Sequence, residues 1–283
     1  MATSYTTKKL LFKILNYVIC FIVVAIILFP FVWMLPATLK DKKEIFAIPN
    51  TFFPTNPTFD NFETIFNIDF NGYNFPRSMA YTLLTSTTAV ILNFAFNMTA
   101  AYSFARIEFR GKKILWCLCL STMFVPGITI LMTSIRLMHL LNIVDTLWVI
   151  ILPGISNGYM IFFFRQFFLS IPSSLEEAAI LDGCNRLKVY FYIFIPMSTA
   201  PMVIQGMGCF MANWNSFMWP NLTITSNTEI AQVMQVTRTL SAYYKNEFGV
   251  VIAAVFIAAL VPISIFSVFQ KKIIGGIAIS GLK

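Results

Sequence analysis

Ile14-Leu-Asn-Tyr-Val-Ile-Cys-Phe-Ile-Val-Val-Ala-Ile-Ile-Leu-Phe-Pro-Phe-Val-Trp-Met-Leu35 runs for 22 residues without one charged side chain. A helix needs about 20 such residues to cross roughly 30 Å of hydrocarbon. Lys8, Lys9 and Lys13 precede the run, as they would in a signal peptide. The run is too long for a signal core and no small-residue cleavage site follows, so it is expected to stay as a first membrane helix.

The rest of the chain has the same character. Of its 283 residues only 11% are charged, while 58% are hydrophobic and 16% aromatic. Soluble domains carry roughly 25% charged residues, because even a large core needs a polar shell. Lipid explains the excess. Stretches at about 11–35, 79–104, 114–134, 147–168, 190–212 and 248–269 are each long enough to span. None shows the short alternation of a barrel strand. The expected fold is an all-α integral membrane protein of about six transmembrane helices, a single membrane-spanning domain over 1–283.

Charge sets the expected orientation. The N-terminus, the 105–113 and 169–189 loops, the C-terminus and Arg165 together hold 13 Lys/Arg against 4 Asp/Glu. The opposite side holds 7 against 8. Basic residues stay inside, so both termini are placed in the cytoplasm and the long loop at about 36–78 outside. The net charge of +8 is thereby spent on orientation, and nucleic acid is not an expected partner. The five cysteines include no C-x-x-C and the chain has one histidine, which argues against a disulfide framework and a metal site.

One connection is more than a connection. Ile171-Pro-Ser-Ser-Leu-Glu-Glu-Ala-Ala-Ile-Leu-Asp-Gly183 leads into the fifth span. Pro172 stops the preceding helix, and Ser174 with Glu177 forms a capping box that starts a new helix at Leu175. Gly183 suits the left-handed turn that ends it. So short a helix is marginal alone and must pack on something. Leu175, Ala178, Ala179 and Asp182 share one small-sided face that a partner can approach.

The spacing Glu177-Ala178-Ala179, Gly183, Ile193, Ile195-Pro196 resembles the EAA motif of permease subunits of binding-protein-dependent ABC importers. Ile195 stands where Leu is usual. The resemblance extends to Ala101-Tyr-Ser-Phe-Ala-Arg106 with Phe109-Arg-Gly-Lys112, to Phe164-Arg-Gln-Phe-Phe168, and to Trp214-Asn-Ser-Phe-Met-Trp-Pro220. The tail Gly275 to Lys283 is also similar, with Ser280 in place of its second glycine. Together these point to the carbohydrate-type, MalG-like branch over about 79–283. The first span and its loop match loosely, through Pro57 to Phe62.

That resemblance implies a type I ABC importer permease fold. It also implies a coupling helix at about 174–187 that docks on a cytoplasmic ATPase through Glu176, Glu177, Ala178, Ala179, Asp182 and Gly183. Further partners would be a MalF-like second permease and an extracytoplasmic solute-binding protein. ATP and Mg would be bound by the partner ATPase dimer, with no cofactor in this chain. The loop after the fifth span is expected to be a polar segment, with Arg238, Tyr243 and Tyr244 meeting the binding protein. The location is the plasma or inner membrane, and the cargo an oligosaccharide or related sugar, with glycerol phosphate as the alternative.

What is missing narrows the choice. No G-x-x-x-x-G-K-[ST] occurs, since Arg106 occupies the place of its first glycine before Gly111-Lys112. No catalytic cluster can be assembled, which excludes a membrane-bound enzyme. A secondary transporter would need charges or interrupted helices near the midplane, and neither is evident. Neutral Asn93, Asn97, Asn157, Gln205 and Asn213 lie in or beside spans instead. Such amides glue helices or line a polar pathway. Asn157, Gln205, Asn213, Trp214 and Asn215 are the pathway candidates. Trp214 and Trp219 also suit interfacial anchoring, and His139 a solvated or capping role.

Overall fold

The computed structural model describes residues 2–49, 51–244 and 247–280, with side chains from Lys9 to Ile273 within them. The chain forms two compact units, 1–68 with 239–260, and 69–238 with 261–283.

The first unit carries α1 (Ala2–Thr38), α2 (Lys42–Ile45), α3 (Asp60–Asn67) and the opening turns of the last helix. Within α1, no residue of the most apolar stretch of Lys9–Thr38 is buried by the chain itself. A helix apolar all round and covered by nothing is what lipid or a partner span accommodates. The stretch expected as an outer loop is built rather than loose. The Asn61 amide donates to the Thr38 and Lys40 carbonyls at 2.9 Å each. Glu44 gathers Thr55 and Thr51, and the backbone N–H of Thr55 leads in holding its carboxyl below the usual range.

The second unit begins with a two-strand hairpin, β1 (Asp69–Phe70) and β2 (Tyr73–Asn74), antiparallel with Phe70 opposite Tyr73. Asn71 and Gly72, at φ 51° and 81°, form the turn that right-twisted strands prefer. Asn74 then caps α4 (Phe75–Arg106) by accepting from Arg77 N at 2.9 Å.

After α4 come α5 (Lys112–Ser121), α6 (Leu131–Leu140), α7 (Trp148–Ile151) and α8 (Gly158–Ser170). They are followed by α9 (Ser173–Leu181), α10 (Arg186–Val189), α11 (Ile195–Met197), α12 (Thr199–Trp214), α13 (Met218–Thr223), α14 (Val233–Tyr243) and α15 (Phe248–Ser280). α4 packs on both α8 and α12. Gly158 lets α8 approach closely: a Cβ there would lie 2.8 Å from the Cys119 carbonyl.

Three helices, within α1, α4 and α15, are long and apolar enough to cross a membrane singly, and two bent pairs bring the number to five among the described residues. The expected 114–134 span is the exception. It is α5, a 3-10 turn at Thr122–Phe124 and then non-helical chain through Pro126-Gly127 before α6. Proline lacks the N–H that would continue the ladder.

The expectation of uninterrupted helices also fails. The Trp148–Gly154 and Gly158–Ser170 segments meet at 47° across 155–157, just after Pro153-Gly154, and the Arg186–Met197 and Thr199–Trp214 segments meet at 76° at Ser198, beside Pro196. A proline stands within two residues of each break, as is usual where helices bend sharply. In lipid, freed backbone groups need partners, and here side chains supply them. Asn93 donates to Gly154 O at 2.9 Å and Asn97 to Ile155 O at 2.8 Å, while Asn97 Oδ1 accepts from Asn157 N at 2.8 Å. The buried amides of α4 therefore act as helix glue.

Candidate functional site

The α8–α9–α10 corner is built onto the end of α4. Its core is aromatic: Tyr102, Phe164, Phe168, Tyr190 and Phe194 pack together, with Ala179 and Cys184 laid against them. Tyr102 is 4.9 Å from Phe194, ring centroid to centroid, and Phe168 is 5.3 Å from Phe194, both edge-on. Edge-on rings fill space with a favourable quadrupole arrangement.

Arg106 ends α4 and holds this corner. Its guanidinium donates to the Phe168 and Ile171 carbonyls, the first at 2.8 Å. These carbonyls stand at the close of α8, where Phe168 O also accepts from Ile171 N at 3.3 Å. The same group lies 5.2 Å from the Phe194 ring centre. Its Nε is 3.7 Å from Glu176 Oε2, an ion pair rather than a hydrogen bond, and Nε itself has no hydrogen-bond partner. Tyr102 Oη reaches Glu176 Oε1 and the Arg186 carbonyl at 3.4 Å each. Arg186 in turn donates to the Arg106 carbonyl at 3.1 Å.

The local structure of α9 differs from the sequence expectation at its start. The helix begins at Ser173 behind Pro172, and no side chain caps it, so the Ser174–Glu177 capping box is not formed. Pro172 is suited to that place because its fixed φ suits a helix entry. The end is as expected. Gly183 sits at φ 85°, Gly183 N donates to Ile180 O at 3.0 Å and Cys184 N to Ala179 O at 2.9 Å, a Schellman closure. Asn185 then caps α10, accepting from Lys188 N at 2.9 Å.

The two sides of α9 are unlike. Glu176, 9% exposed, and half-buried Ala179 turn inward. Leu175, Glu177, Ala178, Asp182 and Gly183 are exposed, as are Ile180 and Leu181, the latter at 89%. Leu175, Ile180 and Leu181 together make an apolar patch of the kind that marks an interaction surface. Sequence reasoning grouped Glu176 with Glu177, whereas the carboxylate of Glu176 is used within the chain. It passed over Leu181 altogether, although an apolar residue just before the closing glycine was a signal.

The pathway candidates are scattered. Asn157 caps α8, accepting from Met160 N at 3.2 Å, and is exposed. Asn213 and Asn215 donate back to Cys209 O and Met211 O on α12. Trp214, 1% exposed, stacks on Phe210 with centroids 5.6 Å apart. Gln205 is half-buried. Trp219 donates its indole N–H to Val149 O at 2.8 Å, which makes it an internal tie. Nothing gathers these groups into one cluster.

The segment expected as a polar loop is the helix α14, with Val233, Val236 and Leu240 fully buried. On it Arg238 and Tyr243 are exposed, and Tyr244 beyond it is half-buried. The tail residues 281–283, and the side chains from 274, lie outside the described residues.

Residues 97–275 match the family described as the binding-protein-dependent transport system inner membrane component. The chain belongs to this family. The permease is 31% identical over 276 residues to the probable ABC transporter permease protein YurM of Bacillus subtilis, covering 94% of this chain and 87% of that one. It is 29% identical to the arabinooligosaccharides transport system permease protein AraQ of Halalkalibacterium halodurans, covering 91% and 92%. Its fold matches a chain of a bacterial ABC transporter involved in alginate import, with a TM-score of 0.78 and 22% identity over 92% of this chain and 96% of that one. The permease is therefore the membrane subunit of an importer and not an enzyme. It works with a second permease, a separate ATPase and a solute-binding protein.

Proposed function

We propose that the permease carries an oligosaccharide or related sugar inward by ATP-driven alternating access, with α9 as the helix that docks on the ATPase. The observation that carries this reading is the two-sided build of α9. Its inner side is tied to α4 through Glu176 and Arg106, while its outer side presents Leu175, Ile180 and Leu181 uncovered. A push on that outer face reaches a membrane span through one ion pair and a packed aromatic core.

Orientation follows from the basic residues. Arg106, Arg110, Lys112, Lys113, Arg186 and Lys188 flank this corner, and basic residues gathered beside a span support a cytoplasmic place for α9. ATP and Mg then belong to the partner ATPase, and the second permease is MalF-like. Sugar as cargo is supported by the MalG-like sequence pattern and by the arabinooligosaccharide and alginate systems to which this chain is similar.

The test is reconstitution of the permease with its partner permease, ATPase and binding protein in proteoliposomes. Oligosaccharides that raise the melting temperature of the binding protein should stimulate ATP hydrolysis and be taken up. Glycerol phosphate serving in their place would reassign the cargo. ATP hydrolysis insensitive to every solute-loaded binding protein would remove the importer mechanism.

A further inference from the structure

Between the α4–α5 connection and α8 lies an open cavity of about 600 Å³. Its lining includes three cations, Lys112, Lys113 and Arg165, one anion, Glu108, and the rings of Phe104 and Trp116. Lys112 is spoken for, pairing with Glu108 at 2.7 Å. Arg165 lies with its guanidinium 4.3 Å from the centre of the Trp116 ring and donates Nε to Phe104 O at 3.1 Å. Among the described residues its two terminal nitrogens have no protein acceptor, and Lys113 has no ion-pair partner. A planar cation fixed by ring and backbone, with four N–H groups left over, is a preformed seat for a tetrahedral oxyanion.

Position supplies the identity of that anion. The cavity lies at one end of the membrane helix α4 and beside the first turn of α5. Beside the cations, α5 presents Ile114, Leu115 and Leu118, all exposed apolar side chains suited to acyl chains. Tryptophan with basic residues is the composition of the headgroup level, and basic pockets between membrane helices bind anionic lipid headgroups.

We propose that this cavity binds the phosphate headgroup of an anionic phospholipid, with Arg165 and Lys113 as its ligands and Trp116 as the floor. The lipid pins the α4–α5 connection to α8, next to the Arg106 corner. The proposal holds whichever leaflet this end of the chain faces.

The experiment uses the assembled transporter in nanodiscs of phosphatidylcholine, with and without phosphatidylglycerol, and follows thermal stability and photo-crosslinking by a phosphatidylglycerol probe. Phosphatidylglycerol should raise the melting temperature of the wild type. In the Arg165→Gln/Lys113→Gln variant its apparent affinity should fall roughly 30-fold, the loss expected when two basic residues in direct contact with the headgroup are removed. Lys271→Gln/Lys272→Gln removes the same charge elsewhere and should keep the response. An undiminished response in the first variant overturns the site. A response to inorganic phosphate in detergent as large as that to the lipid overturns the lipid as occupant. Should the variant fail to assemble, the wild-type crosslink decides: attachment within 104–116 or 162–168 supports the proposal, and attachment elsewhere refutes it.

Discussion

Replacing Gly183 tests the docking role of α9 through the backbone alone. Gly183 has φ 85°, and a Cβ built there would meet nothing within 4 Å. The cost of a side chain is therefore conformational and not steric. An L-residue held in the left-handed region costs about 1–2 kcal/mol, and a β-branched one more, on the order of 1–3 kcal/mol. The penalty falls on a nine-residue helix whose closure rests on two hydrogen bonds, at 3.0 and 2.9 Å. A shift of 1–2 kcal/mol changes the population of the closed turn by roughly 5- to 30-fold. Gly183→Val should thus lower solute-stimulated ATP hydrolysis and uptake several-fold in proteoliposomes, with Gly183→Ala between it and wild type. Gly183→Asn, which tolerates the left-handed region, should restore most of both. Wild-type coupling in the valine variant would refute the reasoning. Equal damage by valine and asparagine would place the effect in bulk at the docking surface instead of in the turn.

Four further outcomes are expected. Arg106→Ala leaves the Glu176 carboxylate without its cation and removes a donor from the Phe168 and Ile171 carbonyls, and should cost about 3–5 kcal/mol, against about 1–2 kcal/mol for Glu176→Gln. A double-mutant cycle on melting temperature should then be non-additive, and additivity would separate α9 from α4. Asp145 resists burial by accepting from Ser226, Asn227 and Thr225 N–H groups, which hold its carboxyl below the usual range of about 3.8. The folded state then binds fewer protons, so the contact stabilises above that value and is lost as pH falls through the lower, folded one. Asp145→Asn should cost about 1–2 kcal/mol, after allowance for its half-exposed setting, and should flatten the acid limb of a stability–pH curve. A reporter active only outside the cell should work fused near Asn56 or Asn227 and stay silent near Gly111 or Ser174; activity at Ser174 would reverse the orientation. Arg238→Ala with Tyr243→Ala should leave assembly and basal ATP hydrolysis intact while slowing uptake, and unaltered uptake would leave α14 a structural helix only.

The long spans were legible because lipid imposes length and apolarity together, so the runs behind α1, α4 and α15 could hardly be anything else. Where a span breaks was less legible. Pro126, Pro153 and Pro196 sit inside equally apolar runs, and a proline kinks, ends or merely decorates a helix depending on what supports the freed carbonyls. After Pro153 those supports, Asn93 and Asn97, are about sixty residues away in sequence. The same reason hid the use of Glu176. Periodicity counts apolar residues and so sets a carboxylate outward, whereas Arg106, Tyr102 and Phe194 draw it in from other elements. Gly183 was legible because a left-handed closure is a local event.

The amides of α4 also bear on anyone who would improve this protein for crystallisation or expression. By hydropathy Asn93 and Asn97 are the blemishes of their span, and leucine would be the obvious repair. Yet each covers a neighbour's open backbone, so the repaired helix would insert more readily and leave the bent one beside it with bare carbonyls facing oil. A sequence optimised one helix at a time would thus be a worse molecule, because the apolarity that one span lacks is the scaffolding of another.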